Sequence, residues 1–163
     1  MTNSFNTRRS GKPKESAFER IIKLVSIKDR PVKTMRERLL EEGYELDEVE
    51  TAIERACEYR FLDDERYARV LIQSRLGAGR GIQGVRAELK RLDINVDAWE
   101  DLPDEFKFAD EADELERALA YLDRKPPTGK NLIDKAYRTL MRKGYGSAVS
   151  SSAAHRWYDR INS

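Results

Sequence analysis

Cysteine is almost absent from this chain of 163 residues: Cys57 is the only one, so no intramolecular disulfide can form. It falls at helical spacing with Val49 and Ile53, and is expected to be a buried, inert thiol. His155 is the only histidine, so neither a zinc site nor a histidine-based catalytic centre is expected. No apolar run approaches the ~18 residues needed for a membrane span. No stretch alternates apolar and polar residues long enough to read as a strand, which leaves an all-α chain. Net charge is small as well, at +1. The 31 basic and 30 acidic residues nearly cancel, so the total says nothing about partners.

Charge is present in blocks. Residues 1–35 carry 9 positive and 3 negative groups, and 36–58 carry 3 and 9. Residues 59–92 carry 8 and 4, 93–123 carry 2 and 12, and 124–163 carry 9 and 2. Such banding suits a partner of mixed charge. With 39% hydrophobic and 37% charged residues, surface is plentiful relative to core, which favours a thin helical architecture over a thick globule. Residues 1–16 are polar, basic and broken by Gly11 and Pro13, with no apolar core of a secretory signal. They read as a disordered basic tail, and the cytoplasm is the expected compartment.

From Ala17 a helical period sets in. Phe18, Ile21, Ile22 and Val25 share one face, and Val32, Met35 and Leu39 share the next, which Gly43 ends. Leu46, Val49, Ile53 and Cys57 give a third face, with Asp47 and Glu50 spaced as a capping box. The pattern then returns. When Leu39 is superposed on Leu89, Met35 pairs with Val85, Tyr44 with Ile94, Asp47 with Asp97 and Glu50 with Glu100. A third copy around Leu140 repeats Gly43-Tyr44 as Gly144-Tyr145, with Ser147 as its cap. A period near fifty predicts an elongated array of three tandem three-helix repeats, spanning 17–58, 59–107 and 108–163. In the third, Leu115, Ala118, Leu119 and Leu122 face inward, while the last helix is poor in large apolar residues before Trp157.

The densest information lies between Phe61 and Leu89. Asp63, Asp64 and Glu65 open a helix whose apolar face is Tyr67, Ala68, Leu71, Ile72 and Leu76. Gly77, Gly79 and Gly81 stop it, and Ile82, Val85, Leu89 and Leu92 start another. Around this elbow sit Arg66, Arg69, Arg75, Arg80, Arg86, Lys90 and Arg91, expected to form a partner-facing basic patch with only Glu88 nearby on the second helix.

Other patterns weigh less. Gly79-Arg80-Gly81-Ile82-Gln83-Gly84 matches G-x-G-x-x-G, but a dinucleotide fingerprint follows a strand, and here an amphipathic helix precedes it. The glycines read instead as allowing a tight turn and a close helix approach. A helix-turn-helix reading would send the acidic helix after Asp47 towards phosphate. Asp110, Glu111, Asp113, Glu114 and Glu116 lack the EF-hand glycine and read as a solvated acidic face. No catalytic, metal-binding or cofactor-binding residue is expected.

The motifs together resemble the RecX family of regulatory proteins, modulators of the RecA recombinase. Leu62-Asp63-Asp64-Glu65-Arg66-Tyr67-Ala68 is similar to the family's LDD-x-x-[FY]-A. Gly79, Gly81, Val85, Glu88 and Leu89 fit its following glycine and Glu-Leu pattern. Met35–Leu39 with Gly43-Tyr44, and Leu140–Tyr145, match on either side. Where the family carries a Lys-Gly-like pair before the position of Ile94, this chain has Leu92-Asp93. The resemblance implies a monomeric protein without catalytic chemistry that lodges in the groove of the RecA–DNA filament and limits its growth or activity. RecA would be the main partner and DNA a weak one, met within the filament. Two alternatives remain: a helical-repeat protein acting directly on nucleic acid, and a protein-only adaptor.

Overall fold

The computed structural model describes residues 15–101 and 111–163, and those residues form eight α-helices and no strand. The chain divides into two compact units between Tyr67 and Ala68, within the fourth helix.

The first unit is built from α1 (Ala17–Ile27), α2 (Val32–Glu41) and α3 (Leu46–Glu58). Ser16 starts α1 with a capping box: its hydroxyl accepts from the Glu19 amide, and its own amide donates to the Glu19 carboxylate at 2.9 Å. Residue 16 therefore belongs to the first helix's cap; the expectation of a disordered tail falls on 1–14, outside the described residues. Pro31 lies one position before α2, and the Val32 amide that opens this helix donates to the Asp64 carboxylate at 2.8 Å. Ile21, Met35, Leu39, Val49 and Leu62 form a closed core with Tyr44 at its edge. Each such fully buried Leu or Met contributes about 1.5–3 kcal/mol.

Three expectations for α3 are corrected. Leu46 is 55% exposed and Cys57 is exposed, because the face turned to α1 and α2 runs through Val49, Ala52, Ile53 and Ala56. Both stripes suit 3.6 residues per turn, but the buried one is centred about 50° round the helix from the expected one, which turns Leu46 and Cys57 outward. Nor does Asp47 cap the helix: α3 begins at Leu46 after Glu45, with no side-chain cap, and Asp47 lies in the first turn. Glu50 instead accepts from Arg36 at 2.6 Å. The same holds further on. Val96–Ala98 is a short 3-10 turn entered from Asn95 without a side-chain cap, and Ser147 is the first helical residue after Gly146. Ile22, expected on the buried face of α1, is 36% exposed, and Leu24 is buried in its place.

The second unit takes most of α4 (Asp64–Gly77), then α5 (Ile82–Arg91), α6 (Glu111–Arg124), α7 (Leu132–Arg142) and α8 (Ser147–Ile161). The last helix docks despite its lack of large apolar residues. Val149, Ser150, Ala153 and Ala154 let its backbone approach α6 and α7, and Trp157, 2% exposed, fills the remaining space. Leu115 lies partly buried against this core, alongside the buried Ala118, Leu119 and Leu122.

The helix stops recur at the sequence period. Tyr44, Ile94 and Tyr145 donate their amides to Leu39, Leu89 and Leu140 at 3.2, 3.0 and 3.1 Å. In each case the preceding residue is left-handed: Gly43 at φ 93°, Asp93 at 60° and Gly144 at 88°. Asp93 serves where its counterparts are glycine because aspartate tolerates this conformation better than most side chains.

Candidate partner-contact elbow

The glycine stretch between α4 and α5 is made for backbone contact. The Gly81 and Gly84 amides donate to the carbonyls of Lys143 and Gly144, both at 2.9 Å. A Cβ on Gly81 would stand 2.4 Å from the Gly144 oxygen, and one on Gly84 2.8 Å from its Cα. Between them the Ile82 amide donates to the Glu114 carboxylate at 3.2 Å. The donors that would cradle a phosphate in a dinucleotide fold are thus committed to protein acceptors, and the glycines serve a close approach of the α7–α8 turn.

Glu114 therefore departs from the expected solvated acidic face. It is 8% exposed, caps α5 and pairs with Arg117, while Asp113 and Glu116 are exposed. Burial pushes its carboxyl above the ordinary range, opposed by the Ile82 amide and the Arg117 charge. Asp110 and the Glu111 side chain lie outside the described residues. Arg117 also donates to the Leu76 carbonyl at 3.4 Å and to the Arg80 carbonyl at 2.6 Å, so a cation sits at the C-terminal end of α4, where carbonyls lack helical partners. The Tyr145 hydroxyl donates to the Gly79 carbonyl at 3.0 Å, and burial pushes that phenol up to about 12.

The seven basic residues do not form one open patch. Arg66 belongs to the first unit, where it donates to both Asp29 oxygens at 3.2 Å and to the Arg60 carbonyl. In the second unit, Arg75 grips Glu88 at 2.7 Å and Arg80 reaches the same carboxylate at 3.3 Å. The Arg75 hydrogen bonds, with Arg80 and Arg91 nearby, hold the Glu88 carboxyl below its ordinary range against a desolvation penalty. Arg69 meets Asp101 at 3.5 Å and lies 6.0 Å from the Trp99 ring centroid. Arg86 pairs with Asp97. Arg86 and Lys90, one turn apart on α5, line an open concavity with Asp97, Ile94 and Val96. Lys90 and Arg91 are exposed.

Sequence reasoning found the cations and missed their acceptors. Asp29, Asp97 and Asp101 come from other elements, and only Glu88, thirteen positions from Arg75 and eight from Arg80, was within view of the elbow. Among the described residues no group of three His, Cys, Asp or Glu side chains could hold a metal ion, and no helix is long and apolar enough to cross a membrane.

Glycine- and aspartate-stopped helical hairpins with an arginine–carboxylate elbow define the class, an all-helical protein. No family model matches the chain. Its relatives do. It is 29% identical over 143 residues to a regulatory protein RecX from Syntrophotalea carbinolica, covering 84% of this chain and 93% of that one. It is 31% identical over 128 residues to a RecX from Clostridium perfringens, where the match covers 76% of this chain and 60% of the relative. In fold it is similar to the crystal structure of RecX from Lactobacillus salivarius, with a TM-score of 0.67, 14% identity, and coverage of 86% and 94% of the two chains. Over most of its length the chain is thus similar to regulatory proteins named RecX, in sequence and in fold.

Proposed function

We propose that this chain regulates the RecA recombinase by binding in the groove of the RecA–DNA filament and limiting its growth or activity. The observation that carries the reading is the similarity to RecX regulatory proteins over most of the chain, with motifs like theirs spread along both units. The charge pattern supports it, since a nucleoprotein groove offers protein side chains of both signs with phosphate beneath. An elongated array of three three-helix repeats would suit such a groove, and the recurring helix stops at Leu39, Leu89 and Leu140 support that arrangement. The protein acts by binding, as a monomer in the cytoplasm, without chemistry of its own.

In this reading Arg66, Arg69, Arg86, Lys90 and Arg91 meet the filament, while Arg75 and Arg80 hold the elbow in shape through Glu88. Exposed ion pairs are worth at most about 1 kcal/mol, so a partner's carboxylate or phosphate can replace Asp29, Asp97 or Asp101 at little cost. The experiment adds the protein to its own organism's RecA on single-stranded DNA and follows ATP turnover. Suppression below one copy per recombinase protomer is expected. Unchanged turnover over the full titration would sink the proposal.

A further inference from the structure

A second basic surface lies on the outer face of α7. Lys135, Arg138 and Arg142 stand at positions i, i+3 and i+7, opposite the buried Ala136 and Leu140, and all three are exposed. Seven helical residues span ~10 Å, so the three cations form a straight stripe about two turns long. They line an open groove of about 700 Å³ together with Thr128, Thr139 and Tyr137.

The electrostatics differ from those of the elbow. Around the elbow the fold supplies Glu88, Asp97 and Asp101 as acceptors. Between residues 124 and 146 there are seven cations and a single acid, Asp134. Asp134 meets Arg138 at 3.1 Å with side chains 53% and 71% exposed, a one-turn surface pair that is readily exchanged. Lys135 donates to the Thr128 carbonyl at 2.6 Å and Arg142 to the Thr139 hydroxyl at 3.4 Å, so neither has its charge neutralised by these contacts.

We propose that the α7 stripe is a binding surface for the phosphate backbone of single-stranded nucleic acid. This rests on the reading of the chain as a ligand of a nucleoprotein filament, and assigns its nucleic-acid contact to α7 rather than to the elbow. Arginine forks bind phosphate in two-pronged fashion, threonine hydroxyls donate to it, and the half-buried Tyr137 offers a ring beside the track for a base. An acidic protein segment is the competing occupant, and a phosphate strand fits better because charge repeats along the helix with hydroxyls at its side.

The test measures anisotropy of a fluorescent oligodeoxythymidylate with the full-length chain and no recombinase, between about 50 and 200 mM salt. The variant Lys135→Gln, Arg138→Gln, Arg142→Gln is compared with Lys23→Gln, Lys28→Gln, Arg60→Gln on the first unit, each checked for unchanged helical content. Loss of three phosphate contacts lowers the slope of log affinity against log salt by about 2 and weakens binding at least about tenfold at low salt. The first-unit variant keeps the parent slope. Lysine at positions 138 and 142 restores most of the binding. The proposal is overturned if the parent does not bind at low salt, if both variants lose binding equally, or if the α7 variant binds like the parent. Displacement of the oligonucleotide by polyglutamate at equal charge concentration overturns it in favour of an acidic protein partner. Because recombinase is absent, these results stand apart from the ATP-turnover test of the regulatory reading.

Discussion

At the residue scale, the same dipeptide does different work in the two units. Gly43-Tyr44 and Gly144-Tyr145 look alike in sequence, and both glycines are left-handed, at φ 93° and 88°. A Cβ on Gly43 meets nothing within 4 Å, whereas one on Gly144 would lie 2.6 Å from the Gly84 Cα. Gly43→Ala should therefore lose only the conformational cost, about 1–2 kcal/mol. Gly144→Ala adds overpacking against backbone that has no room to retreat, for a loss of about 3 kcal/mol or more, measurable by urea unfolding. Glu88 gives a second residue-level prediction. Its folded carboxyl is held below the ordinary value, chiefly by Arg75, so its contribution is present above the unfolded value of about 4.3 and lost as pH falls through the depressed folded value. Glu88→Gln should cost about 1–2 kcal/mol near neutral pH, and its stability should fall less steeply on acidification than the parent's. Glu114, raised by burial, works with the opposite sign, and its effect is present at low pH and fades as pH rises through its folded value. Neither carboxylate could be ranked from sequence, because Glu114 looked like one acid among five and owes its burial to the amide of Ile82, 32 positions away.

At the scale of elements, the helices were legible because apolar residues recur at three- and four-residue steps, and their ends were legible wherever glycine follows. Local entry into each helix was less so. Asp47 and Glu50 have the spacing of a capping box, but Arg36 from α2 captures Glu50, and α3 starts one residue before Asp47. A cross-helix salt bridge at 2.6 Å competes with a local cap and leaves no trace in the local pattern. The last helix shows the converse. Read by hydrophobicity alone it has little to bury, but its alanines and serine permit close packing, and one tryptophan closes the core. Trp157→Ala should cost about 3–5 kcal/mol and remove the near-ultraviolet dichroism that a fixed indole gives. Ala153→Leu, at a site with no exposure, should cost about 1–3 kcal/mol through overpacking, although it raises the apolar content of the helix. If Ala153→Leu stabilised the protein, α8 would be held by hydrophobicity and not by closeness of approach.

At the scale of the whole molecule, the fifty-residue period gave the array as an expectation, and the recurring stops at three leucines give that proposal its footing. Small-angle scattering tests it directly: an elongated particle is expected, and a near-spherical one would remove the array. Partner contact is a harder matter, because a basic stretch in sequence is partner-facing only if the fold leaves its charge unspent. Here the fold spends part of it. Replacing Arg75 by an acid would set two carboxylates together at Glu88 and damage the elbow itself, so loss of function in such a variant would say nothing about contact. The informative variant changes Arg86, Lys90 and Arg91 to Gln, on the exposed flank of α5, and leaves Arg75, Arg80 and Glu88 in place. Helical content and unfolding midpoint should stay near the parent's, since the Arg86–Asp97 pair is a surface one with Asp97 61% exposed. Suppression of RecA ATP turnover should weaken at least about tenfold, the consequence of removing three charges from one contact face. A variant that suppresses as well as the parent would take the filament contact away from α5, whatever the α7 stripe does with bare nucleic acid.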